Sequence, residues 1–496
     1  MLNLPFNLFS ILPLFIFLYF IYKKLSNNQG LNKQLPPSPF KLPILGNLHQ
    51  LGKHPHRSLK SLSTRYGELM LIHLGTKPTL IVSSSIIAKS IMKTHDSILS
   101  NRPKSSINDK LLYNSRVVGA SYYGEYWRQM KSLFVLQLLS SRRVRSYRVI
   151  REEETGLLIE SIRKCEEVCN LSDLFTTLTN DVVCRVAFGK KYSGGTDFRE
   201  VLSELMELLG VFKVGDFIPR LSWVDRVSGL DSRMDKVAKK FDVVLEEILK
   251  EHLEKPNNSE ERTKDFVDVL LDVQRDNSAG FPVEREGIKA LILEAFAAGT
   301  HKTSTVLEWA MTELLRNPRV MAELQKEVRN KAIRKQFITE DDLENMSYLT
   351  AVIKETLRLH PPIPLLVPRE STSDLKLNGY DISDKTMIII NAWAIHRDPI
   401  TWEEPNEFRP ERFLNSSVDF KGQDFELIPF GAGRRLCPGI QFAMANNELV
   451  LANLVYNFDW SLPVGVTPDT LDMSEGSGLT VRRKESLLAE ANPYVY

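Results

Sequence analysis

Cys437, one of four cysteines in the chain, stands in PFGAGRRLCPGI, residues 429–440, with Phe430 seven positions before it and Arg435 two before it. Gly433 and Gly439 lie on either side. These types suit a buried thiolate that holds a metal ion. The sulfur must stay deprotonated and be supplied with backbone N–H donors. Glycines bring the backbone close to it, and a phenylalanine covers it from water. A second constellation is Glu355 and Arg358 in YLTAVIKETLRLHPP, residues 348–362, three apart and hence on one helix face. Val352, Ile353, Leu357 and Leu359 read as buried around them, so the pair needs further partners for its remaining donors. FRPERF, residues 408–413, offers Arg409 and Arg412 on a proline-bound loop.

These groups need elements to hold them. VEREGIKALILEAFAAGTHKTSTVLEWAMTELLRN, residues 283–317, closed by Pro318, predicts a helix roughly 50 Å long at the usual rise. Its first half is apolar nearly all round, which predicts burial. AAGTHKT interrupts it with small and polar residues. Gly299 costs a buried helix about 1 kcal/mol relative to alanine. Either this helix packs closely on another, or something large and flat presses on it. Ala295, Ala298, Lys302 and Thr305 fall roughly on one side. ELMLIHLG and TLIVSS around TKP predict a β-hairpin near residues 68–84, and strand signals return in residues 375–393. Helical patterns fill residues 120–360. The fold class is therefore α-rich α+β, with small sheets toward the two ends of the chain.

With 496 residues, 43% hydrophobic and 25% charged, at formal net charge +2, the composition suits a large core and gives no reason to expect nucleic acid. Cys165, Cys169, Cys184 and Cys437 are too sparse for a disulfide framework, which indicates a reducing compartment. Cys165 and Cys169 could share a helix face, but no second Cys/His pair completes a metal site nearby. Residues 4–22 are uncharged and 19 long, enough to cross a bilayer, and Lys23 and Lys24 follow. An uncleaved signal anchor over 1–24 is expected, with the downstream part in the cytoplasm. A cleaved signal peptide would show a basic start and a small-residue cleavage site. The prolines of residues 35–39 make 25–47 a stiff hinge, leaving 48–496 as the catalytic domain.

An iron-bound thiolate at Cys437, with Arg435 pairing a propionate, would make haem the flat object beside the long helix. Phe430, Gly433, Arg435, Cys437 and Gly439 match the F-x-x-G-x-R-x-C-x-G signature of the cytochrome P-450 superfamily. With Glu355-x-x-Arg358 and PERF in the expected order, the whole chain resembles these haem-thiolate monooxygenases. YWRQMKSLFVLQLLSSRRV, DVVCRVAFGKKY and LRLHPPIPLLVPRE are similar to the plant microsomal A-type enzymes, which include terpenoid hydroxylases and furanocoumarin-forming psoralen synthases.

The resemblance implies the cytochrome P-450 fold, with a long central helix over haem b, and an N-terminal membrane anchor. It implies Cys437 as the proximal thiolate, and Glu355, Arg358 and Arg412 as the triad holding its loop. Trp127, Arg369 and Arg435 match propionate-binding positions, and Lys131 stands where arginine is usual, keeping the charge without the fork. It further implies electrons from NADPH through a reductase, O2, a small apolar substrate, and an endoplasmic reticulum membrane location. Basic residues around Arg128 and from Arg142 to Arg148 either dock the reductase or form a solvated face. Residues 363–367 and Leu479 read as substrate pocket.

The chain departs from the family in the long helix. There the pattern A/G-G-x-D/E-T-T/S supplies an acid and a threonine for proton delivery. Here Ala298 is followed by Gly299, Thr300, His301, Lys302 and Thr303. A histidine can relay protons near neutral pH, whereas a buried lysine must snorkel, lose its charge or find a partner. The expected alternatives are therefore oxygen insertion into a terpenoid, coumarin or similar metabolite, and, against it, haem-thiolate chemistry of dehydratase or isomerase type or a catalytically weakened relative.

Overall fold

The computed structural model describes Tyr19 and residues 33–191, 197–254, 264–332 and 335–495. Apart from Tyr19, the expected anchor lies outside the described residues. Among the described residues, no helix is long and apolar enough to cross a membrane. The proline-rich stretch lies against the domain: Leu71 N donates to Pro37 O (2.9 Å), and Asp381 N to Gln34 O (2.7 Å).

Helix α1 (Pro55–Tyr66) leads into β1 (Leu69–Leu74) and β2 (Lys77–Val82), the hairpin expected near 68–84. The elements that matter next are α2 (Glu125–Phe134), α3 (Leu171–Phe188), α4 (Arg285–Arg316) and α5 (Ser347–Leu359). After them come β3 (Arg369–Glu370), β4 (Met387–Ile390) and α6 (Ile440–Asn457). The main sheet runs β1-β2-β4-β3, with β2 and β4 parallel and the other pairs antiparallel. Leu80, Ile81 and Val82 register with Ile388, Ile389 and Ile390, so the two ends of the chain close on one buried apolar ladder. Residues 375–393 do not stay extended to their end. The Asn391 side chain accepts from Ala394 N and starts a short helix, Ala392–Ile395. A three-stranded sheet of Cys169–Asn170, Leu488–Pro493 and Phe458–Ser461 and a two-stranded one of Leu375–Leu377 and Tyr380–Ile382 complete a helix-rich fold with small sheets.

The long α4 matches its expected span, and most of it is buried. Gly299 belongs to helix packing: a Cβ there would come within 2.9 Å of Val183 Cγ2 on α3. Of the two readings of this glycine, close packing is the one realised. Ser172 on α3 also donates to Glu308 on α4, so the helices run antiparallel past each other.

Glu355 and Arg358 on α5 are both 0% exposed, so solvent helps neither charge. Arg358 uses all five of its N–H donors. Nε and Nη2 go to Glu355 (2.7 and 2.8 Å), Nη1 to His396 O (2.8 Å) and Pro405 O (2.7 Å), and Nη2 also to Glu407 O (3.0 Å). Glu355 Oε1 accepts further from Arg412 Nε (3.0 Å) and Arg409 N (2.8 Å). Arg412 thus enters the network by its side chain, whereas the Arg409 side chain turns outward to Glu404. Deleting one partner leaves charges buried and unpaired. Glu355→Ala is expected to lower stability by about 3–5 kcal/mol, measured by thermal or denaturant unfolding. A loss of about 1 kcal/mol or less, typical of an exposed pair, would show that the network does not hold this region together.

Candidate functional site

The loop before α6 turns on two glycines in the left-handed region, Gly431 and Gly433, each at φ 69°. At Gly433 a Cβ would sit 2.1 Å from Met92 O and 2.7 Å from Asp96 Oδ2, so only glycine fits. Gly439 differs: its φ is −90°, and what it supplies is its N–H, which bonds Cys437. Cys437 N donates to Phe430 O (3.0 Å), closing the loop, and Phe430 packs edge-on against Phe420. The loop hangs from α5 through His396. Ile428 N donates to His396 Nε2 (2.9 Å), so the proton is on Nδ1, which donates to Arg358 O (3.1 Å). Burial, with the Arg358 charge, pushes this imidazole down to about 3 and keeps it neutral.

Cys437 lies deep in the protein yet keeps accessible surface, so it faces an internal space. Burial pushes its thiol up, while the Gly439 N–H and the charges of Lys302 and Lys131 act the other way. The start of α6 adds a favourable dipole. A bound cation would complete the set and displace the thiol proton.

Beside the cysteine, cations outnumber acids. Arg435 lies 4.4 Å over the Trp127 ring and donates to Ser100 O, Val118 O and Ser121 O (2.8, 3.2 and 2.6 Å). The Trp127 indole donates to Val118 O (3.2 Å). Lys131 donates to Arg434 O (2.6 Å), 5.0 Å over the same ring. Arg369 bonds Asp96 Oδ1 and Ala432 O (both 2.8 Å). Arg102 donates to Gly119 O, Val367 O and Pro368 O (2.8, 2.8 and 2.7 Å). Burial and then the Arg369 charge push Arg435 down to about 10, and burial with both neighbouring guanidiniums lowers Arg102 well below its usual range. The hydroxyls of Ser100 and Ser121 are buried without a partner among the described residues. Crowded cations and orphaned hydroxyls beside an enclosed thiol fit a ligand with two carboxylates and a metal centre, which is the chemistry of haem.

Across from them, α4 keeps accessible surface at Glu294, Ala298 and Lys302, spaced i, i+4, i+8 on one face, and also at Ala297, Gly299 and His301. Lys302 folds back toward the helix N-terminus and donates to Ala297 O (3.0 Å). Burial lowers its pKa, against the charges of Glu294 and Cys437. His301 Nδ1 is buried without a partner among the described residues, and burial, with Lys302 and Arg482, pushes the ring down to about 4. The ring is therefore held neutral near pH 7, with one ring nitrogen carrying a proton and the other able to accept one. Thr303 is buried one turn after Gly299, on the side turned toward α3 and away from Ala298.

Four further residues of this site carried weak sequence signals or none. Arg102 precedes Pro103 in a loop after an apolar run, a position held extended. Asp96 accepts from Arg369 Nη1 and from Arg434 N (2.7 Å) and fills the space beside Gly433. Glu294, an acid inside an apolar helix, accepts from Gly119 N (3.1 Å). His396 sits next to Arg397 in a short turn and shows nothing of its role.

The family model Cytochrome P450 matches residues 36–488. Cytochrome P450 736A117 of Prunus mume is 53% identical, covering 98% of this chain and 96% of the relative. A 3-beta-hydroxylase of Tanacetum parthenium is 52% identical (97% of each), and a norfluorocurarine oxidase of Strychnos is 49% identical (96% of each). A zebra fish cytochrome P450 solved with abiraterone superposes at TM-score 0.73 and 25% identity, over 89% of this chain and all of that one. With its cysteine loop, its cation cluster and this likeness over nearly its whole length, the chain belongs to the cytochrome P450 family, the haem-dependent monooxygenases.

Proposed function

We propose that this monooxygenase inserts one oxygen atom from O2 into a small apolar plant specialised metabolite, using electrons from NADPH delivered by a reductase. The observation that carries the reading is the enclosed Cys437 flanked by the Arg102, Arg369, Arg435 and Lys131 cations. Bound there, haem supplies reductive activation of O2 at an iron whose thiolate ligand favours O–O cleavage. Cys437 would hold the iron, with Gly439 N–H steadying the sulfur and Phe430 shielding it. Arg369, Arg435, Lys131 and Arg102 would bind the propionates, Trp127 supporting Arg435 by stacking, and Ala298 would leave room for the group. The Glu355–Arg358–Arg412 triad, acting through His396, fixes the loop. Leu366, Val367 and Leu479 border the substrate space. Gly210 packs closely on the Leu479 segment, where a Cβ would meet Leu479 N at 2.8 Å.

A second reading, dehydration or rearrangement without net oxygen insertion, draws its support from Lys302 and His301 in place of the acid and threonine. NADPH consumption with candidate substrates separates the two.

Attachment to the endoplasmic reticulum membrane by residues 1–24, catalytic domain toward the cytoplasm, belongs to the same proposal. It draws support from exposed Phe40, Ile44, Trp223 and Val227. The segments that carry them meet at the β1–β2 turn, where Gly75 N donates to Leu45 O and Thr76 N to Phe217 O. Arg142 and Arg145, both exposed, are suited to an acidic reductase surface.

Cys437→Ser is expected to abolish the red-shifted band of the reduced carbon monoxide complex that thiolate ligation produces; a full band in the variant assigns the iron to another residue. His301→Asp with Lys302→Thr is expected to raise product formed per NADPH consumed, and unchanged or lower coupling would make the native pair part of this enzyme's own chemistry. Removing residues 1–24 is expected to move most of the protein from membranes to the soluble fraction with haem retained. Loss of haem on that deletion would show that anchor and domain are not independent.

A further inference from the structure

Glu294 is the acid that the reading above leaves without a task. It stands on α4 with Leu291, Ile292, Leu293, Ala295 and Phe296 buried around it, a run in which a carboxylate is costly unless it is matched. Among the described residues its one hydrogen bond comes from a remote segment, where Gly119 N donates to Glu294 Oε2 (3.1 Å). The approach is close: a Cβ at residue 119 would lie 3.1 Å from Glu294 Oε1. The next two amides close a local turn instead, Ala120 N and Ser121 N both donating to Val117 O (3.1 and 2.9 Å). The peptide unit that carries the Gly119 N–H also carries the Val118 carbonyl. It is trans, and a planar trans peptide points these two groups in opposite directions. One end donates to Glu294, and the other accepts from Trp127 Nε1 and Arg435 Nη1, both at 3.2 Å. The carbonyls that follow take Arg102 Nε on Gly119 O (2.8 Å) and Arg435 Nη2 on Ser121 O (2.6 Å). Holding Gly119 N therefore fixes the direction of Val118 O, and with it the place of the guanidinium that lies over Trp127.

We propose that Glu294 is a positioning residue for haem: by accepting from Gly119 N it aims the Val118 carbonyl at Arg435 and Trp127, and so sets the propionate-binding cations from the long helix. This rests on the reading of Arg435 and Arg102 as propionate partners. Ala298 follows one turn later on the same face of α4. One helix thus governs both the room left for the group and the aim of the cations that bind it. The competing role for Glu294 is its charge, which Arg102 and Arg435 also feel. Glutamine and leucine separate the two. Both remove the charge, but only glutamine keeps an oxygen that can accept from Gly119 N.

The test uses the full-length ferric holoenzyme and the variants Glu294→Gln, Glu294→Ala and Glu294→Leu. Deuterium exchange in peptides spanning residues 117–121 reads the Gly119 amide, and transfer of haem to apomyoglobin reads how firmly the group is held. The alanine and leucine variants are expected to exchange faster and to release haem several-fold faster than the wild type. The glutamine variant is expected to match the wild type in both. Leucine fills the space that alanine leaves, so an effect shared by the two is not that of a cavity. Should the alanine variant fail to load haem, the leucine variant carries the comparison. Haem release from the glutamine variant as fast as from the leucine variant overturns the proposal, because charge alone would then account for it. Wild-type haem release from the leucine variant overturns it too, whatever the exchange at Gly119. The reduced carbon monoxide band, recorded on each preparation, reports thiolate ligation separately. Its absence from the wild type would overturn the haem–thiolate reading itself, and this proposal with it.

Discussion

The Glu355 carboxylate accepts four hydrogen bonds from Arg358, Arg412 and the Arg409 backbone with no exposed surface. A charge so placed is tolerated only when every donor and acceptor around it is matched. Segments far apart in sequence, residues 355–358, 396–407 and 409–412, must therefore converge before any of them is stable alone. Because Arg358 also receives the His396 side chain on its carbonyl, the requirement extends to Ile428 and to the loop that carries Cys437. The position of one sulfur atom thus follows from satisfying one buried acid.

Charge is distributed on the same logic around the site. Neutral His396 bridges where a cation would be repelled by Arg358 and Arg397. The opposite holds beside Trp127, where guanidiniums are forced together and lose part of their proton affinity. Backbone carbonyls of residues 118–121 absorb much of that excess. The remainder is a standing preference for an anionic ligand, built in before any ligand arrives.

Much of this was legible in the sequence. The hairpin, the 32-residue α4 and the α5 pair follow from periodicity and spacing, and the Cys437 loop from residue types alone. What could not be read were roles played by contacts between distant segments. Gly299 is explained by Val183, and Gly433 by Met92 and Asp96, partners over a hundred residues away in sequence. Val118 O, Gly119 O and Ser121 O hold arginines, yet a carbonyl oxygen leaves no mark in the sequence. The type of His301 is plain in the sequence, but that burial beside Lys302 and Arg482 holds its ring neutral depends on contacts the sequence does not show.

The contact at Gly433 has a bearing on how such chains can be recombined. Met92 O and Asp96 Oδ2 occupy the space a side chain would need at 433, and Asp96 fastens both Arg369 and Arg434 N. Residues 90–96 and 431–435 therefore behave as one rigid insert contributed by two remote stretches. A chimaera that takes its first hundred residues from one parent and its C-terminal third from another cuts that insert in half. Crossovers that inherit both stretches from the same parent keep the thiolate loop in register, whatever is exchanged between them.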